Sequence, residues 1–161
     1  MKISSINTIK KEIQHLPQEE LVDLVYKIAK YSKDNKELLH YYLFESAYED
    51  NYISKIKQEI DELFEVIDAR SWKTMKKSIQ KIIRNIKKYI KFSKEATTEI
   101  ELLLYFCKHL ANFPDALDHN LVVFNIYKRQ IVSLQKACSA LHEDLQYDYK
   151  ELIEEAAEVI N

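Results

Sequence analysis

Two Glu-x-x-His pairs, Glu12/His15 and Glu37/His40, are the residues of this chain best spaced for metal chemistry. Three apart on a helix, a carboxylate and an imidazole share a face, and di-metal carboxylate bundles use two such pairs with two further Glu. The first pair falls in the last turn of a short helix beside Pro17, whereas such sites sit midway along long helices. Both pairs are therefore read as ordinary surface side chains. Cys138 and His142 are four apart, and Cys107 and His109 two apart. Neither arrangement supplies a C-x-x-C pair or the four convergent ligands of a structural zinc site. The thiols are read as small hydrophobes packed between apolar helices, and nothing selects a Cys/His nucleophilic pair. No Ser stands in a nucleophile elbow, because that turn needs Gly and the chain has none. The expectation is a non-enzymatic protein with no catalytic residue, no metal and no cofactor.

Charge offers a different chemistry. Residues 71–94, SWKTMKKSIQKIIRNIKKYIKFSK, hold nine basic side chains and no acidic one. Trp72, Met75, Ile79, Ile82, Ile86 and Tyr89 recur at spacings of 3 and 4, the apolar seam of an amphipathic helix. Lys73, Lys77, Lys81, Arg84, Lys88 and Lys91 fall on one neighbouring arc and form the candidate polyanion-binding stripe. Ser71 is the expected N-cap. Such a face neutralises nucleic-acid phosphates, lies on an anionic membrane, or is balanced by acidic helices of the same chain. Residues 1–70 carry net −4 and residues 95–161 net −7, so the balanced face is the first reading and nucleic acid the alternative. The stripe is Lys-rich with one Arg, whereas base readers favour Arg. Tyr is the other contact residue in excess. Six of the 11 lie between residues 26 and 52, and Tyr42, Tyr48 and Tyr52 are the candidate lining of a partner groove.

These residues require helices to position them. The absence of Gly removes most sites of positive φ, and with them tight hairpins and Gly-dependent phosphate loops. Eight helices follow from the apolar periodicity, at about residues 5–15, from 17 through at least 29, 34–47, 52–69, 71–94, 96–111, 118–141 and 143–160. In the second, Leu21, Leu24, Val25, Ile28 and Ala29 are the expected buried face. The third is expected to start at Asp34 with Glu37 closing a capping box. The sixth, containing IELLLYFCKHL, is apolar around most of its circumference and is placed at the centre of the core. The last carries seven carboxylates against Lys150.

The segment Leu16-Pro17-Gln18-Glu19-Glu20-Leu21-Val22-Asp23-Leu24, followed by Leu38-Leu39, resembles the opening helical pair of small uncharacterised all-α bacterial proteins. The resemblance spans roughly the first 45 residues. It implies a short helical superhelix and carries no activity and no functional residue.

The expected architecture is one all-α domain over residues 1–161. Seven or eight helices in antiparallel hairpins form either a HEAT- or TPR-like superhelix or an irregular bundle. The expected function is a protein-interaction module of a bacterial cytoplasm. That location rests on the lack of an apolar leader in MKISSINTIKKEIQ, of any run long enough for a membrane span, and of a disulfide pattern.

Overall fold

The computed structural model describes residues 2–68 and 70–160. The protein is all-α. Its helices are α1 (Ile6–Gln14), α2 (Gln18–Tyr31), α3 (Lys33–His40), α4 (Glu49–Glu65), α5 (Trp72–Ser93), α6 (Ala96–Ala111), α7 (Pro114–His119), α8 (Leu121–Ser139) and α9 (Glu143–Glu158). Five residues of π-helix, Tyr41–Glu45, follow α3. The chain divides into two compact units where the sequence suggested one domain, with the division between Phe44 and Glu45.

In the first unit α2 packs on α3. Ser5 caps α1 by accepting from the Thr8 amide at 3.2 Å. Ser32 caps α3 by accepting from the Asn35 amide at 3.1 Å, so Ser32 takes the role assigned to Asp34. A Ser hydroxyl at this position reaches the orphan amide three residues on. The helix of residues 34–47 is also not continuous α-helix, because it passes into π geometry at Tyr41. None of the residues of α1, α2 or α3 is buried. Leu21, Leu24 and Ala29 are half-buried, while Val25 and Ile28, expected inside, are exposed.

The second unit is built around α6, as its all-round apolarity predicted. Ile100, Leu102, Leu103, Phe106, Cys107 and Leu110 are at most 1% exposed. The helix packs against α4, α5, α7, α8 and α9. A solenoid repeat touches only its neighbours. This arrangement is the irregular bundle, not the superhelix. The helix expected at 52–69 begins earlier, at Glu49, and ends at Glu65, and Ala69 lies outside the described residues. The carboxylate of Glu49 accepts from the Ser93 and Thr98 hydroxyls, which ties the start of α4 to the α5–α6 turn. Where the sequence suggested no helix, between residues 111 and 118, Pro114 opens the short α7 from its first position, which needs no amide donor. Asn120 then caps α8 through the amides of Val122 and Val123.

Candidate functional site

The apolar seam of α5 fixes how the helix presents its charge. Met75, Ile79, Ile82 and Ile86 are at most 1% exposed, against α4, α6 and α8. Trp72 departs from the expectation. It is 43% exposed, because it occupies the first position of the helix, where the seam has run past the core. Ser71 is the N-cap residue, but its side chain makes no capping bond. Its carbonyl instead accepts from the Thr74 hydroxyl at 2.9 Å.

Opposite the seam, Lys73, Lys77, Lys81, Arg84 and Lys91 are all exposed. Among the described residues, none of these five takes part in an ion pair. Lys88 is half-buried, with its Nζ 5.0 Å from the centre of the Tyr89 ring. Among the described residues no acidic helix supplies these five cations with an ion pair. The acidic α9 packs on α8 and α6 instead. Two carboxylates of α4 bond to partners other than the five exposed cations. Glu59 accepts from the Tyr89 hydroxyl at 2.9 Å. Asp61 holds His109 Nε2 at 2.8 Å and the Tyr105 hydroxyl at 2.7 Å. The six predicted cations thus share one helix face, and at least five point into solvent.

Tyr52 is not available to line a groove as expected. Tyr52 is 7% exposed. Its ring meets Tyr89 edge-on, and its hydroxyl donates to the Tyr89 carbonyl at 3.3 Å. It is a core residue of α4. Tyr42 belongs to the first unit and Tyr48 to the second, and both are exposed.

Among the described residues the metal-spaced pairs join no group of three ligands. Glu12 and His15 are exposed. Glu37 faces Lys33 at 3.5 Å, and the His40 ring lies 5.1 Å from that of Phe44. Cys138 donates weakly to the Gln146 carbonyl, and His142 meets Asp144. Among the described residues no three His, Cys, Asp or Glu come together to hold a metal.

Sequence reasoning missed a polar ladder in the second unit. Glu101, Tyr105 and His109 stand four apart on one strip of α6, facing Lys57 and Asp61, four apart on α4. Lys57 Nζ lies 2.6 Å from Glu101 and 5.3 Å from the centre of the Tyr105 ring. The Tyr149 hydroxyl of α9 reaches Glu101 at 3.0 Å. The spacing of five polar residues on two facing helices was the available signal. A cleft of about 570 Å³ opens beside it, with Leu104, Leu152, Ala156 and Val159 on its walls. The ladder holds a His–Asp pair but no Ser, Thr or Cys. Cys107, two residues from His109, is fully buried, and burial pushes its thiol up to about 12. The hydrogen bond to Asp61 raises the Tyr105 hydroxyl, and burial followed by the Glu101 charge raises Tyr149 to about 12.

Burial of Cys107 makes a measurable prediction. In the folded protein the thiol holds its proton until about 12, whereas an ordinary thiol releases it near 9.0. Between those values the unfolded chain binds fewer protons, so the stability from this group is complete below pH 9 and is lost toward pH 12. Iodoacetamide at pH 8 is expected to leave Cys107 unlabelled in the native protein and to label it in urea. Thermal melts are expected to show a falling midpoint as pH rises from 9. Rapid native labelling of Cys107 would contradict this account.

Among the described residues no helix is long and apolar enough to cross a membrane. Comparison with known proteins finds no matching family model, no matching curated protein and no matching solved structure.

Proposed function

We propose that the protein is a non-enzymatic helical binding module whose working surface is the cationic face of α5, and that this face takes a polyanion. The observation that carries the proposal is the exposure of Lys73, Lys77, Lys81, Arg84 and Lys91 without an ion pair among the described residues. Folding does not call for this concentration of charge. Like charges three or four apart on a helix each cost about 0.2–0.5 kcal/mol. The first turn of α5 holds no acidic residue to offset the dipole at that end. A surface that opposes the stability of its own helix is explained by a partner that supplies the opposite charge. The free thiols Cys107 and Cys138 fit a reducing compartment, and a bacterial cytoplasm is part of the same proposal.

A protein partner is the second reading. Its support is the exposed apolar side chains of the first unit, Val22, Tyr26, Ile28 and Leu43. Heparin chromatography tests the first reading. The protein is expected to be retained at low salt and released by moderate salt. The Lys77→Glu/Lys81→Glu/Arg84→Glu/Lys88→Glu variant is expected to flow through. Retention of that variant at the wild-type salt concentration would remove the proposal.

A further inference from the structure

We infer that the polyanion is a nucleic acid duplex, held along its phosphate backbone without regard to sequence, an inference that rests on the anion-binding reading above. A membrane surface is disfavoured by the seam. Met75, Ile79, Ile82 and Ile86 are buried beneath the helix, whereas an interfacial membrane helix needs its apolar side free to enter lipid. A single strand is disfavoured because, among the described residues, no aromatic side chain stands within the stripe. Such strands are gripped by bases laid on aromatic rings. Tyr89 is half-buried and donates to Glu59, and Trp72 lies beyond the end of the stripe.

The shape of the face favours the duplex. The seam pins α5 along most of its length, so the cations from Lys73 to Lys94 stand in a fixed row about 32 Å long. One turn of B-form DNA is about 34 Å. A rigid row meeting a rigid ladder of phosphates loses little conformational freedom, whereas a flexible acidic peptide would have to be ordered first. At about 100° per residue the nine cations cover an arc of roughly 140°. Lys76, Lys87 and Lys94 lie along one edge of it and Lys77, Lys81 and Lys88 along the other. Two edges of charge match the two phosphate strands that border a groove. Eight of the nine cations are Lys, which meets phosphate as a point charge and lacks the planar fork that reads guanine. Contact is therefore with backbone, not base edges.

Fluorescence anisotropy on the full chain tests this with four probes. They are two DNA duplexes of unrelated sequence and about 20 base pairs, one single strand of equal length, and vesicles of equal parts phosphatidylserine and phosphatidylcholine. The duplexes are expected to bind within about twofold of each other and at least about fivefold more tightly than the strand, with the vesicles unbound. The logarithm of affinity is expected to fall with the logarithm of salt at a slope near −5, for about six phosphates neutralised. Lys81→Ala should flatten that slope by about 1. Equal affinity for the strand, tight binding to the vesicles, or a tenfold preference between the two duplexes would overturn the inference. Retention on heparin without duplex binding would overturn it while leaving the anion-binding reading in place. Failure on both removes both.

Discussion

The Lys77→Glu/Arg84→Glu variant is expected to be more stable than the natural protein and to bind a polyanion at least about 100-fold more weakly. The stability gain follows from spacing. Lys73/Lys77, Lys77/Lys81, Lys81/Arg84, Arg84/Lys87 and Arg84/Lys88 are three or four apart on α5, so two substitutions turn five repulsions into attractions. Each repulsion costs about 0.2–0.5 kcal/mol and each attraction returns a similar amount, for a total of roughly 2–5 kcal/mol at low salt. Screening shrinks the gain as salt rises. Both positions are exposed and face away from the seam, so no packing is lost. The binding loss follows from removing two positive charges and adding two negative ones at the middle of the stripe. Urea denaturation at low and high salt, with anisotropy on a polyanion, measures both effects. The opposite directions matter, because weakened binding in a more stable protein cannot be blamed on unfolding. A variant that is less stable than its parent at low salt would contradict the account of α5.

The second large effect lies beneath the binding face. Phe106→Ala is expected to cost about 3–5 kcal/mol, the range for emptying an aromatic site that cannot collapse. Phe106 is fully buried at the middle of α6, and its ring lies 5.8 Å from that of Phe64 on α4. Surrounding helices hold the site open, since α6 packs against α4, α5, α7, α8 and α9. Domains of this size are stable by only about 5–15 kcal/mol, so the variant should unfold at much lower urea and lose polyanion binding with its fold. A shift below about 1 kcal/mol would mean that α6 is not the centre of the core.

Much of this was legible because helices state their burial in their spacing. The bounds of α6 and the seam from Met75 to Ile86 follow from apolar periodicity and agree with the structure. The scarcity of positive φ also follows from the missing Gly. Among the described residues only Lys94 has positive φ, at 62°, where it ends α5 in the left-handed region. A non-Gly residue there costs roughly 1–2 kcal/mol, and the short turn into α6 requires it. The π-helical stretch at Tyr41–Glu45 has no such signal, because an altered hydrogen-bond register leaves no mark on side-chain type. Tyr52 could not be placed because Tyr suits both core and surface, and only the Tyr89 carbonyl beneath it decides. The fate of the α5 charge was equally hidden. It depended on whether α9 crossed α5, a long-range matter that local charge counts do not contain. The ladder of Glu101, Tyr105 and His109 was written in the sequence at a spacing of four, but its meaning needed α4 opposite.

The central position of α6 also governs how the second unit comes apart. In a stacked repeat, an end pair can fray while the rest keeps its core. Here α4, α5, α7, α8 and α9 all take shelter on the same helix. Its loss would uncover all five, so the unit is expected to open as a whole, with the slowest-exchanging amides in α6. The basic row on α5 is then expected to keep its shape for as long as α6 stays packed beneath it.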